Sequence, residues 1–459
     1  MNLGWSVLEA LRENPEVLKD SLRKRYMPTD LVDKAIELDI KWRERITELN
    51  RLREKRNEVN RLIPRIPPEE RGKLIEEAKD LGRKVKELEE EVKKLDEERN
   101  KILASLPSIV HESVPEGPDE TYNVPVRFWG KPKVPRSKLE SFKRETEGFQ
   151  VEFELLDWEP KGHADELELI LKMGDTYKAA QLSGSRFFYL FKDIVWLEQA
   201  LVMFALDVIS KKGFIPVIPP YMLRQDYYLG VTDLETFKDS IYKIEGEDLY
   251  LIATSEHPLI AMHAGDTFVE EELPRLYVGV SPCFRKEAGT HGKDTKGIFR
   301  VHQFYKVEQI VFSKPEESWE WHERLIENAE EIYQALEIPY RIVNIAAGDL
   351  GASAAKKYDL EAWFPAQGRY RELVSCSNCV DWQSYRLRIK LDRKGRREFV
   401  HTLNSTALAT TRTICAIIEN HQREDGSVRV PRVLRKYLEL FDSAPKDEIV
   451  PLEEKLIKD

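Results

Sequence analysis

Leu74, Ala78, Leu81, Val85, Leu88, Val92 and Leu95 alternate spacings of four and three, the period of a coiled-coil seam. Upstream, Trp42, Leu49, Leu52, Arg56, Val59 and Ile63 keep a looser version of it. Between the two runs, Pro64, Pro67, Pro68 and Gly72 force a turn. The chain is therefore expected to fold back as an antiparallel hairpin of two long helices. Helices of ~30 residues, each rising about 1.5 Å, make an arm ~45 Å long, too thin to enclose a catalytic pocket. Its use is reach.

Charge singles out the first of these helices. The net charge of −10 argues against nonspecific nucleic-acid binding by the whole chain, yet from Lys41 to Arg65 nine basic side chains stand against four acidic ones. Two uses fit: a dimerisation coiled coil with solvated charged faces, or a grip on a phosphate backbone. Arg61, Arg65, Arg71 and Lys73 near the tip tilt toward the second.

Pro115, Pro118, Pro125, Pro132 and Pro135 mark a connecting stretch from about residue 107 to 137, which divides the chain into an arm domain, residues 1–110, and a larger domain, residues 111–459. A chain of 459 residues with 41% hydrophobic content suffices for sizeable cores. The larger domain shows strand and helix patterns without βαβ repetition, as in an antiparallel sheet flanked by helices. Its first segments, Leu167 to Met173 and Phe187 to Ile209, read as helical, and its tail from Asp442 as a loosely held charged end. Met1 to Pro15 lacks an apolar core of signal-peptide length. Ile194 to Ile209, broken by Glu198, Gln199 and Asp207, reads as a buried helix and not a membrane span. A cytoplasmic enzyme is the expectation. Four cysteines imply no disulfide framework. Cys376 and Cys379 form a Cys-x-x-Cys without a further ligand pair at zinc spacing, so two small buried thiols are expected.

The runs Tyr277 to Arg285 and Ile298 to Val311 are rich in β-branched and aromatic residues and flank a polar, glycine-containing loop, the pattern of an antiparallel hairpin. Arg285 near one strand end and Glu308 on the next could converge on a small zwitterion, with Phe304 stacking on a base. An exposed hairpin with cross-strand ion pairs is the plainer alternative.

This hairpin resembles motif 2 of class II aminoacyl-tRNA synthetases through Phe284, Arg285, Glu287, Arg300 and Phe304. Gly213 to Pro220 resembles motif 1, a helix running into a strand that ends at a proline and supports a homodimer interface. Thr402 to Thr413, continuing to Asn420, resembles motif 3, except that Ser405 and Ala407 stand where glycines are usual. Thr254-Ser255-Glu256, the stretch Glu372 to Asn378, and Leu403-Asn404 with Glu419 to Gln422 are similar to the seryl-tRNA synthetase family. The resemblance, from about residue 1 to 440, implies an α+β fold: an N-terminal antiparallel helical coiled-coil arm, then a class II antiparallel sheet domain flanked by helices.

It also implies roles. ATP and Mg²⁺ are the expected cofactors, with Arg285, Glu372 and Arg412 carrying catalysis. ATP would be met by Arg285, Lys286, Glu287, Val301 (through its backbone), Phe304, Glu372, Leu373, Val374, Ser375 and Arg412, with Mg²⁺ on Glu372 and Ser375. L-serine would be read by Thr254, Ser255, Glu256, Arg285, Glu308, Asn404 and Thr406. Plainer uses exist: Thr254 as a helix cap, Thr406 as an ordinary strand residue. His291 and His302 are not needed as acid or base for this reaction. In the arm, Arg51, Arg53, Lys55, Arg61 and Arg65 are the expected contacts to tRNA(Ser), with tRNA(Sec) a second substrate usual for this enzyme type. Two rival readings are a paralogue that loads a carrier protein, which tends to lack such an arm, and a scaffold protein, which would have lost the motif residues. Charged residues at 34% hint at a thermophilic source.

Overall fold

A computed structural model describes residues 5–233, 238–287 and 294–457. His291 lies outside them. The chain forms two compact units, divided after Ile109. Labels below number the elements used, in chain order.

The first unit is built on α1 (Asp30–Leu62) and α2 (Arg71–Ser105), antiparallel helices joined through two short 3₁₀ turns at Ile63–Arg65 and Pro68–Glu70. Leu49, Val85, Leu88 and Val92 form the dry centre of the hairpin, while Leu74, Ala78 and Leu95 are half-buried because a two-helix seam leaves its sides open. Asp39, 1% exposed, anchors the base of the arm. It accepts from Arg12 Nε at 3.0 Å, Arg43 Nε at 2.9 Å and Arg99 Nη2 at 2.7 Å. A carboxylate this deep persists because three guanidinium groups replace its water.

Arg53 and Lys55 are exposed on α1 and meet acidic residues of α2. Arg53 pairs with Glu89 at 2.8 Å and Lys55 with Glu77 at 3.1 Å across the hairpin. Arg51, Arg61 and Arg65 are exposed.

The second unit is organised by an eight-stranded sheet in the order β1-β5-β6-β7-β8-β4-β3-β2. Its strands are β1 (Val124–Trp129), β2 (Ile215–Val217), β3 (Arg275–Phe284), β4 (Gln303–Ser313), β5 (Tyr340–Asn344), β6 (Lys356–Phe364), β7 (Arg369–Asn378) and β8 (His401–Ala409). All neighbours are antiparallel except β2 and β3. The helices α3 (Asp193–Ser210), α5 (Ser318–Ala335) and α6 (Thr410–His421) contribute to the main hydrophobic core, and the short α4 (Glu256–Ala261) packs with β3 and β4. Every residue of β8 is buried, so this central strand positions side chains with little freedom. Glu198, the acid that interrupts apolar α3, accepts from Thr410 Oγ1 at 2.7 Å and so ties α3 to the start of α6.

Four expectations need correction. Ile298 to His302 is not strand; β4 begins at Gln303, and Val301 turns into the hydrophobic core. Within Phe187 to Ile209 the helix starts only at Asp193, since Tyr189–Leu190 pairs with Gly174–Asp175. Of Leu167 to Met173, only a π-helical turn, Glu166–Ile170, is helical. The tail is held rather than loose: Glu448–Ile449 pairs with Val428–Arg429, with Ile449 fully buried. Among the described residues, no helix is long and apolar enough to cross a membrane. Cys376 and Cys379 are buried free thiols, and burial pushes both up from their ordinary range.

Candidate active site

A cavity of about 410 Å³ opens between the ends of β3, β4, β7 and β8 and the heads of α4 and α6. At one end stand β4 and β8. Val307 faces Leu408 and Glu308 faces Thr406, which leaves Ala407 as an extra residue in β8. This bulge brings Thr406 round to Glu308, and Thr406 Oγ1 donates to Glu308 Oε2 at 3.3 Å. Lys306 Nζ approaches the same oxygen at 2.6 Å. The Lys306 and Glu308 side chains are 7% and 2% exposed.

Facing them is the head of α4. Thr254 Oγ1 accepts from the Glu256 N–H at 3.2 Å, a local turn one residue before the helix cap, which is Ser255, and Thr254 lines the cavity. The plainer reading of Thr254 as the helix cap is therefore corrected. Glu256 Oε1 accepts from Gln383 Nε2 at 2.8 Å, and Gln383 is itself fixed by Thr402 Oγ1 at 2.6 Å. Burial and then the neighbouring charge of Glu308 push the Glu256 carboxyl up to about 7, against the pull of Lys306, Gln383 and Arg285. Asn404 lines the cavity, its Nδ2 donating to Cys379 Sγ at 3.6 Å. Ser255 is fully buried and outside the lining. A Cβ added at Gly279 would lie 2.7 Å from Ser255 Oγ, so glycine there makes room for the hydroxyl.

At the other end Arg285 follows β3. Its Nε donates to the Ala253 carbonyl at 3.3 Å, and its guanidinium lies 5.3 Å from the centroid of Phe304. His302 fixes its backbone: the Arg285 N–H donates to the His302 carbonyl at 2.9 Å, and His302 Nδ1 donates to the Arg285 carbonyl at 2.8 Å. His302 thus positions Arg285. Glu287, at φ +50°, pairs with Arg300 at 2.9 Å and lines the cavity. Lys286 is exposed and stands over Tyr242 at 5.6 Å, outside the lining.

On β7, Leu360 faces Val374 while Glu361 faces Glu372, so Leu373 is the extra residue. Strand alternation alone would send Glu372 and Ser375 to opposite faces. The bulge turns both to the cavity, with Leu373 beside them, and leaves Val374 in the core. Arg412, in the first turn of α6, donates from Nη1 to the Glu372 carbonyl at 3.1 Å and lies 3.5 Å from Glu372 Oε1. Partial burial pushes the Glu372 carboxyl up, but Arg412, Lys357, Arg285 and Arg300 outweigh it and hold the group below the usual carboxylate range. One carboxylate and one hydroxyl on a shared face suit a hard cation that keeps open positions for phosphate oxygens and water.

Val301, Val374, Ser255 and Lys286 are therefore not brought to the cavity by their side chains. Sequence reasoning missed Lys306, Gln383, Lys357 and Phe299. The Phe299 ring lies between the guanidinium groups of Arg371, 3.9 Å away, and Arg412, 5.1 Å away. Phe-Arg-Val-His-Gln-Phe-Tyr-Lys-Val-Glu carried a signal for Lys306, whose spacing of two from Glu308 puts them on one strand face.

Residues 8–110 match the seryl-tRNA synthetase N-terminal domain, and residues 237–421 the tRNA synthetase class II core domain of the G, H, P, S and T enzymes. The serine–tRNA ligase of Korarchaeum cryptofilum is 76% identical over 457 residues, covering 100% of both chains. That of Staphylothermus marinus is 62% identical over 98% of this chain and 99% of its own. Among solved structures, the Pyrococcus horikoshii seryl-tRNA synthetase complexed with ATP superposes with a TM-score of 0.88 at 54% identity, covering 98% of this chain and 100% of that one. The Naegleria fowleri cytoplasmic serine–tRNA ligase in complex with AMP gives 0.80 at 39% identity over 97% and 99%. With this arm, this sheet and relatives alike over the full length, the chain belongs to the seryl-tRNA synthetase family, class II enzymes that join serine to tRNA.

Proposed function

We propose that the chain activates L-serine with ATP to seryl-adenylate and passes the seryl group to the 3′ end of tRNA(Ser), and of tRNA(Sec) where that tRNA exists. The carrying observation is one cavity that holds Arg285 and Arg412 with Glu256, Glu308 and Thr406. In the first step a serine carboxylate oxygen bonds to the α-phosphorus and pyrophosphate leaves. Two anions must be held together while charge builds, which requires cations. Arg285 meets both the carboxylate and the α-phosphate, and Arg412 the far phosphates. Glu372 and Ser375 would hold Mg²⁺, which when bound would supply charge neutralisation to the phosphates. Glu287 accepts from the adenine amino group and Phe304 stacks on the ring. Glu308 takes the serine ammonium, and Glu256, Thr254 and Thr406 surround its hydroxyl. ATP and AMP in the two similar solved structures support this cavity as the nucleotide site.

Residues 1–110 form the tRNA-binding domain and 111–459 the catalytic domain of a cytoplasmic homodimer joined through the region of Pro220. Exposed Ile215 and Ile218, 48% and 75% accessible at the parallel edge strand, support that interface. A chain lacking residues 1–110 stays dimeric in solution on this reading, and a monomer overturns it. The activity is tested by amino-acid-dependent exchange of pyrophosphate into ATP. Serine supports exchange and the other amino acids, run in parallel, do not.

A further inference from the structure

Lys306 and Glu308 stand two apart on β4, so their side chains share the cavity face of the strand. Bonded at 2.6 Å and almost wholly buried, they form an ion pair whose desolvation is offset only while both partners are present. Both neighbours of Glu308 hold the same oxygen: Lys306 Nζ and Thr406 Oγ1 converge on Oε2. Among the described residues no hydrogen bond reaches Oε1, which leaves it as the open acceptor.

We infer that Lys306 is a positioning residue for serine recognition, clamping Glu308 through Oε2 so that Oε1 presents a fixed, ionised acceptor to the substrate ammonium. This rests on assigning the ammonium to Glu308.

The surroundings explain why a clamp is needed. Glu256 and His257 reach toward this pair from α4, Cys283 and Arg285 from β3, and Cys376 from β7. Glu256 adds a second carboxyl, itself pushed up by burial and by Glu308, His257 is held neutral by burial and by Lys306 and Arg285, and burial pushes both thiols up. Lys306 and Arg285 are thus the cations that balance two carboxylates before serine arrives. A serine zwitterion then enters without changing the net charge of the pocket. Without Lys306 the carboxyl groups face one cation fewer, and Glu308 loses the 2.6 Å contact that fixes its rotamer.

The test compares Lys306→Met, Lys306→Gln and Lys306→Arg in the full-length protein, with Glu308→Gln as a reference. The expected result for Met and Gln is a KM for serine raised at least about tenfold, the size of a charge-assisted contact, with KM for ATP within about twofold of the wild type. Lys306→Arg recovers most of the loss. Competitive inhibition localises the defect. Serinamide, which keeps the ammonium and hydroxyl, binds more weakly to Lys306→Met, whereas 3-hydroxypropionate, which lacks the ammonium, binds as before. If all three ligands weaken alike, Lys306 serves only the fold and the inference is overturned. Should Lys306→Met melt below the assay temperature, Lys306→Gln carries the comparison. Glu308→Gln separates the layers: if it binds serine and serinamide normally, the assignment of the ammonium to Glu308 has failed. If it loses them while the Lys306 variants keep them, only the role of Lys306 has failed.

Discussion

Glu372 and Ser375 face the same cavity although they stand three positions apart on one strand, because Leu373 between them has no partner on β6. Without that bulge the two oxygens could not share a cation. Ser375→Ala is expected to raise the Mg²⁺ concentration for half-maximal pyrophosphate exchange several-fold while KM for serine holds. Glu372→Ala also removes the carboxylate 3.5 Å from Arg412, which keeps its bond to the residue 372 carbonyl, and should lower kcat about 100-fold or more. A Mg²⁺ titration of the two variants checks this; an unmoved Ser375→Ala curve removes Ser375 from the cation site.

The raised carboxyl of Glu256 makes stability depend on pH in the free protein. Its ordinary value is 4.5 and its folded value about 7, so between those limits the folded state binds more protons than the unfolded chain. Stability therefore falls as pH rises through this window. Glu256→Gln abolishes the titration, and its Tm relative to wild type should climb from pH 4.5 to pH 7. Saturating serine, whose hydroxyl favours the ionised carboxylate, flattens the wild-type decline. A Tm difference independent of pH would mean that Glu256 is ionised throughout.

The parts legible in sequence were those with a period or a linear motif. The seam of α2 shows because it repeats, and Arg285, Phe304, Glu308 and Arg412 show because their motifs fix them on adjoining elements. Two single-residue bulges, at Leu373 and Ala407, leave no trace in composition, yet they decide which neighbours reach the cavity. Val374 was expected beside Leu373 because a run of consecutive residues ignores strand alternation. Val301 was expected to lie along β4, but the strand begins two residues later. Gln383 and Lys357 lie outside the motifs and meet the site only through tertiary packing.

On the arm, cross-helix pairing divides the basic residues into two groups. Arg53 is engaged by Glu89 and Lys55 by Glu77, whereas Arg51 and Arg61 are exposed. If the arm grips phosphates, Arg51→Gln with Arg61→Gln should weaken tRNA charging and reduce the log-log salt slope by roughly one per lost contact, with pyrophosphate exchange unchanged. Arg53→Gln alone should do less to the slope, because the substitution also leaves Glu89 unpaired near the RNA. Equal losses in charging and exchange would point to damage of the fold instead.

The bond from Thr406 to Glu308 bears on how serine is told from alanine and threonine. Thr406 Oγ1 donates to Glu308, so its oxygen has lone pairs to offer an incoming hydroxyl. Alanine brings no hydroxyl and leaves polar groups around Thr406 and Glu256 unpaired, at about 1–3 kcal/mol for each neutral group and more for a charge. Threonine keeps the hydroxyl and adds only a methyl, which sterics reject more weakly. Discrimination should be strong against alanine and weaker against threonine. Thr406→Ala is expected to raise KM for serine and to narrow the serine-to-alanine ratio of kcat/KM about tenfold. Glu308→Ala, which also strands the buried Lys306, should nearly abolish activation. If Thr406→Ala leaves the serine-to-alanine ratio unchanged, β8 contributes to the site only through the placement of Arg412, and discrimination rests on Glu256 and Thr254 alone.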